Sequence, residues 1–289
     1  MPRNNAYIFR LSLLVLLPAM LVRCTDNPFE SAALVDGSDR RVQGSVRLSD
    51  SDDHSGVYVW LEGFDLAVRT GSDGAFSFTL PPPAAQGSGS GADGVYRIWT
   101  FVGNYSLRSF SAAVHGGRFV FPSSEIDDQG VLRAPLHMQK QFSITTVLSM
   151  TRIEADSSRL ISMQVELQAP GNPADVYFPR MYAGIEGPVF LRNLRTGEVK
   201  LYSTTVTGIE VADYVRVSDV PYIRSMLLNI PKYALNAGQY EIVPYLLPRG
   251  VSIPVPLLNS LGEDVTGLNP SYLSYPFRRE GGRLDVTPN

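Results

Sequence analysis

Residues 42–82 read VQGSVRLSDSDDHSGVYVWLEGFDLAVRTGSDGAFSFTLPP, and this stretch decides the fold. Val42, Gly44, Val46 and Leu48 alternate with Gln43, Ser45 and Arg47, the period-2 pattern of a strand with one buried face. Residues 50–56 (DSDDHSG) are turn chemistry, because Asp and Ser side chains bond their own backbone and Gly supplies unusual φ. A second strand follows, with Val57, Val59 and Leu61 on one face and Tyr58 and Trp60 on the other. Residues 67–70 and 75–80 form a hairpin about Gly71-Ser72-Asp73-Gly74, where the Asp-Gly pair is a strong turn signal. Pro81, Pro82 and Pro83 end it, since proline has no N–H to give to a ladder.

The rest of the chain suits the same plan. Its 289 residues are enough for about two domains. It is 44% hydrophobic and 18% charged, which builds a core rather than a disordered coil. The 25 glycines and 21 prolines are spread along the chain, as many short strands and turns require. Formal net charge is −3. Arg3, Arg10 and Arg23 lie in the expected leader with no acid beside them, so the charge without it is −6. That balance excludes nucleic acid as a partner, because phosphate binding needs a basic stripe.

Residues 1–23 read as a signal peptide: Arg3 and Arg10 give a positive start and Leu11 to Val22 an apolar run, shorter than the ~20 residues that span a bilayer. The single cysteine, Cys24, precludes an intrachain disulfide framework or a multi-thiolate metal site. Leu21-Val22-Arg23-Cys24 resembles the lipobox of bacterial lipoproteins. The resemblance implies that Cys24 is lipidated and becomes the mature N-terminus, which makes the membrane a partner through a lipid anchor and the bacterial envelope the location. Arg23 departs from the pattern, since a small residue normally precedes the cysteine. The other reading is an ordinary secretory signal cut near Ser31-Ala32-Ala33, with Cys24 discarded. Residues 24–39 are a polar tether.

Residues 40–139 carry a second resemblance. Gly44-Ser45-Val46, then Gly56 to Leu61, then Thr70 to Phe78, then Leu80-Pro81 resemble the carboxypeptidase regulatory-like domain, a transthyretin-like β-sandwich. The family's next strand corresponds to Val95 to Phe101, delayed by an inserted loop over residues 84–94 that is expected to be flexible. Further strands are expected over 107–114, 118–121 and 132–139, with a Gly116-Gly117 turn between the first two. The family is an accessory module of many surface proteins, so the resemblance implies a fold and no activity.

Residues 140–289 are expected to form a second β-sandwich, Ig-like by pattern alone. Strand-like runs cover 142–150, 160–168, 189–192, 199–207, 214–217, 226–230 and 240–247. Residues 193–197 (NLRTG) make a hairpin turn. No helix-period segment reaches 12 residues, and the stretch from Leu257 onward is expected to wrap the surface. The expected fold class is all-β: two β-sandwich domains, transthyretin-like then Ig-like, after a signal peptide and short tether.

No residue set stands out as catalytic, and no cofactor or metal is expected. His54, His115 and His137 lack metal-ligand spacing and read as turn or surface residues. Residues 89–94 (GSGADG) match G-x-G-x-x-G, but no helix follows to receive a pyrophosphate. Asp50, Asp52 and Asp53 read as a solvated acidic turn, with calcium as the competing reading. The aromatic residues carry more. Tyr58 and Trp60 share one face of their strand, and Arg97, Trp99 and Phe101 share one face of another. If the strands are neighbours, Tyr58, Trp60, Trp99 and Phe101 form one patch. Such a patch is a platform for sugar, peptide or a partner protein, or else a face packed on the second domain. The expected function is therefore that of a non-enzymatic envelope or cell-surface lipoprotein with a structural, adhesive or assembly role, and with an envelope protein or polysaccharide as partner. The alternative is a carbohydrate- or peptide-binding module using that aromatic face. An enzyme built from scattered Asp, Glu and Tyr is a third reading that spacing alone leaves open.

Overall fold

A computed structural model describes residues 37–87, 90–121, 124–208 and 212–288. Cys24, the leader and tether residues 24–36 lie outside them. The fold is all-β, with several sheets and, among the described residues, one short α-helix.

Strand β1 (Arg41–Leu48) runs antiparallel to β4 (Ala75–Thr79), with Val42 opposite Phe78 and Gly44 opposite Phe76. Between them in the chain lie β2 (Tyr58–Leu61) and β3 (Leu66–Arg69). β5 (Gly94–Phe101), β6 (Arg108–His115), β7 (Arg118–Val120) and β8 (Leu136–Met138) complete the first sandwich. Its sheets have the orders β4-β1-β8 and β3-β2-β5-β6-β7. The alternation read in the sequence buries Val42, Val46 and Leu48 of β1 and Phe76 and Phe78 of β4 against Val57, Val59, Ile98, Phe110 and Val114 of the facing sheet. Gly74 holds φ at +78° in the turn before β4, and a Cβ there would meet the Val46 carbonyl oxygen at 2.1 Å. Glycine is therefore required by both conformation and space.

The second sandwich has two five-stranded sheets. Its strands are β9 (Ser143–Leu148), β10 (Arg152–Glu154), β11 (Arg159–Gln168), β12 (Ala174–Tyr177), β13 (Met181–Tyr182), β14 (Ile185–Glu186), β15 (Val189–Asn193) and β16 (Val199–Tyr202). They are followed by β17 (Thr204–Thr207), β18 (Tyr214–Val217), β19 (Tyr222–Ile230), β20 (Gly238–Pro244), β21 (Leu247–Arg249), β22 (Glu280–Gly281) and β23 (Arg283–Thr287). One sheet is ordered β10-β23-β20-β15-β16, the other β17-β19-β11-β9-β22. Ile161, Met163, Val165 and Leu167 of β11 supply the apolar stripe of one sheet, and Leu191, Ile242, Leu284 and Val286 that of the other. A three-stranded sheet, β18-β12-β21, adds Val176, Val215 and Val217 to the same core.

Three expectations are corrected here. The run over 199–207 is not one strand. It breaks at Ser203, where the chain leaves β15 for β19, so β16 and β17 belong to different sheets. The segment from Leu257 does more than wrap the surface: β23 pairs with both β10 and β20 and buries Leu284 and Val286. The 84–94 insertion is held in its described residues. The Gln86 side chain donates to the Pro81 and Gly117 carbonyls at 2.7 and 2.8 Å and accepts from the Ala92 N–H at 2.9 Å.

Residues 39–289 form one compact unit. Within it the segment after β21 serves both sandwiches. A helix at Val255–Leu261 places Leu257 and Leu261, one turn apart, on its buried side. A 3-10 turn at Pro270–Ser274 follows, capped by the Asn269 side chain, which accepts from the Ser271 N–H. Leu257, Leu261, Val265 and Tyr275 cluster with Tyr58, Trp60 and Phe101 of the first sandwich. Tyr272 clusters with Phe190, Val243 and Tyr245 of the second. Phe277 packs against both clusters. The segment is thus a strap that supplies a third apolar layer.

Candidate functional site

β2 pairs with β5 so that Tyr58 lies opposite Phe101 and Trp60 opposite Trp99. The four aromatic residues singled out in the sequence are therefore neighbours on one sheet face. Tyr58, Trp60 and Phe101 are buried under the strap, at 6%, 5% and 1% exposure. The Tyr58 hydroxyl sits between the Ser260 carbonyl and hydroxyl oxygens at 3.0 and 3.1 Å, and burial pushes its phenol pKa up. Phe101 meets Tyr275 edge-on at 5.2 Å, and Tyr275 stacks on Phe277 at 4.8 Å. Burial also drives the Tyr275 phenol well above its ordinary range. Trp99 is half-buried at the rim, where its Nε1–H donates to Glu62 at 3.0 Å and Arg97 lies over its ring at 5.6 Å. The expected ligand face is thus occupied by the chain itself for three of its four residues. A face this apolar is filled because each large side chain removed from water contributes about 1.5–3 kcal/mol.

The turn between β5 and β6 is one of the points that fix the strap. The Gly103 N–H donates to the Pro276 carbonyl at 2.6 Å. A Cβ on Gly103 would stand 2.4 Å from the Tyr275 ring and 2.8 Å from that of Phe277, so only glycine lets the strap lie this close. Asn104, fully buried, donates through Nδ2 to the carbonyls of Phe142 and Arg278, both at 3.0 Å, and accepts the Arg278 N–H at 3.0 Å. Its own carbonyl accepts the Gln141 N–H at 2.9 Å. One side chain therefore joins the first sandwich, the connection into the second and the strap, with its polar atoms satisfied as burial demands.

The acidic turn serves the same seam. The Tyr105 hydroxyl donates to Asp50 at 2.6 Å, and the Lys140 ammonium lies 2.5 Å from the same carboxylate. Burial raises the Asp50 pKa, but the bonds from Lys140 and Tyr105 and the Lys140 charge outweigh it and hold the carboxyl below its ordinary value. Asp53 accepts from the Ser55 N–H and hydroxyl and lies 3.3 Å from the Arg278 guanidinium, and its pKa is lowered by those Ser55 bonds first. These carboxylates anchor the strap and the connection. Among the described residues no group of three or more His, Cys, Asp or Glu is placed to hold a metal.

Of the histidines, His115 and His137 are exposed as expected. His54 is buried: its Nδ1 accepts the Leu48 N–H at 3.1 Å, which fixes the acidic turn to β1. The exposed aromatic residues lie elsewhere, at Tyr214 and Tyr233 of the second sandwich, the first beside half-buried Tyr177. Tyr214 is 61% exposed, 5.2 Å from the Tyr177 ring, with Arg249 over its face at 5.2 Å. In the sequence Tyr214 begins the strand-like run 214–217, whereas Tyr177 and Tyr182 lie in short strands that no alternating run announces.

Comparison with known proteins adds little. No protein-family model matches the chain. No curated protein matches it. Among solved structures, the major pilin subunit of Bacillus cereus is 13% identical with a TM-score of 0.26, covering 72% of this chain and 66% of the pilin chain. The Bacillus anthracis TIE protein is 12% identical with a TM-score of 0.21, covering 74% of this chain and 29% of that one. The chain spans less than two thirds of either.

Proposed function

We propose that this chain is a non-enzymatic envelope or cell-surface lipoprotein with a structural, adhesive or assembly role, exported by its N-terminal leader and held to a membrane through lipid on Cys24. The observation that carries the structural role is the strap. It closes the apolar back of one sheet in each sandwich and is pinned at Gly103 and Asn104, so the two modules form one body instead of two beads on a linker. A rigid body on a polar tether suits a spacer, scaffold or adhesive stalk. The location rests on residues 1–24, with the apolar run and the lipobox-like Leu21-Val22-Arg23-Cys24. Among the described residues no helix is long and apolar enough to cross a membrane.

The test of the anchor is Cys24→Ser in the expressing cell. The unsubstituted protein should fractionate with membranes and carry the mass of acyl chains. The variant should lose both, since each buried methylene contributes about 0.8 kcal/mol to membrane binding. A variant that stays in the membrane fraction with the same mass as the parent removes the lipoprotein reading. For the role, crosslinking in the intact envelope should capture a defined envelope protein or polysaccharide.

A further inference from the structure

Where the strap crosses between the sandwiches it leaves a pocket of about 510 Å³. Four arginines line it: Arg69 from β3, Arg192 from β15, and Arg278 and Arg279 from the strap. Glu241 of β20 is the carboxylate in the lining, and it is paired with Arg192, its cross-strand neighbour. Arg278 is held from behind by Asp53 and by the carbonyls of Asp53 and Ser55 at 2.8 and 2.6 Å. Arg69 donates to the Gly56 and Ser274 carbonyls at 3.1 and 3.2 Å. Arg279 donates to the Tyr272 hydroxyl at 3.3 Å, and its guanidinium lies 4.5 Å from the centre of the Phe277 ring. Even with Asp53 counted, four guanidiniums meet two carboxylates, in a chain whose net charge is negative.

Two of these groups are left incomplete. The Nε–H of Arg192 and that of Arg279 are buried with no hydrogen-bond partner among the described residues. A buried charged donor without an acceptor is costly, and a surplus of positive charge in a partly enclosed site raises that cost. An anion in the pocket would offset that surplus of positive charge. The planar guanidinium fork suits oxygen pairs of carboxylate, phosphate or sulfate, and the volume falls within the usual range for a small ligand.

We propose that this pocket is a binding site for an oxyanion: a carboxylate, phosphate or sulfate group carried by a small molecule or by one unit of an acidic polymer. Because its walls come from both sandwiches and the strap, the bound anion also crosslinks them.

The experiment is titration of the purified protein with inorganic phosphate, inorganic sulfate and glucuronate at constant ionic strength, read by calorimetry and by thermal unfolding against chloride. At least one anion should bind saturably and raise the melting temperature, and the three arms separate phosphate, sulfate and sugar carboxylate. Arg69→Gln, at an exposed residue outside either core, and Arg279→Gln should each weaken that binding by about tenfold, the loss of one charge-assisted contact. Arg152→Gln, outside the pocket, should leave it unchanged. Absence of saturable binding by all three anions to the unsubstituted protein overturns the proposal even if a variant fails to fold. Binding that persists at full strength in Arg69→Gln and Arg279→Gln overturns it as well. Neither result bears on Cys24 or on where the protein resides.

Discussion

The two sandwiches are built on the same physics but with different reach along the chain. The core of the first is drawn from residues 42–138, and its strands pair largely with near neighbours. The second closes only when its last strand, β23, inserts between β10 and β20, bringing Asp285 opposite Arg152. The first sandwich is therefore complete in its interior but bare on one outer face until the strap arrives, while the second is incomplete in its interior. One C-terminal segment corrects both defects, which couples the stability of the two halves.

The largest effect should come from deleting residues 255–289. This removes β22, β23 and the strap together. The second sandwich should lose cooperative unfolding in calorimetry, while the first keeps β-structure with Trp60 newly exposed, seen as a red shift in tryptophan fluorescence. A single sharp transition retained in the truncated chain would break the claimed dependence. Next, Tyr275→Ala should cost about 3–5 kcal/mol in denaturant unfolding by emptying the space against Phe101, and Tyr275→Phe far less. Gly103→Ala should cost about 1–3 kcal/mol, because the added methyl overlaps the Tyr275 and Phe277 rings. Equal effects of Gly103→Ala and Gly171→Ala, the latter with open space around its Cβ position and no left-handed backbone, would show that overlap with the strap is not what the substitution tests.

The smallest effect concerns pH. The Asp50 pKa is lowered in the folded protein, so its contribution to stability is present above the ordinary carboxylate value and is lost as pH falls through the lowered one. Asp50→Asn should therefore cost about 1 kcal/mol near neutrality, a size set by solvent screening of a partly exposed pair. The difference from the parent should shrink in acid below about pH 4. A difference that is independent of pH would mean that Asp50 acts by shape alone.

The comparison also marks what the sequence could tell. The first sandwich was legible because Val42 to Leu48 and Ala75 to Leu80 alternate cleanly and Asp73-Gly74 announces its own turn. Pairing of Tyr58 and Trp60 with Phe101 and Trp99 was also within reach, since both strands show an aromatic second face. What covers that face was not. The helix at Val255–Leu261 spans seven residues, too short for a helical period to emerge, and its partner Tyr58 lies some two hundred positions earlier. Short strands such as Arg152–Glu154 and Glu280–Gly281 carry two or three residues each and take their conformation from the neighbour they pair with, not from their own pattern. His54 was misplaced for a similar reason: its burial depends on a bond to β1 that no local signal records.

The bond from Asn104 to Arg278 has a temporal consequence. Asn104 is made early, and its bonds to Arg278 must wait for a residue 174 positions later. Contacts of that span are slow to form, because the intervening chain loses freedom before any contact rewards it. During synthesis the first sandwich can close on its own while Tyr58, Trp60 and Phe101 stay open to solvent. The newborn chain thus passes through an adhesive half-finished stage, a target for chaperones and a hazard for aggregation, that ends when its final turns are released.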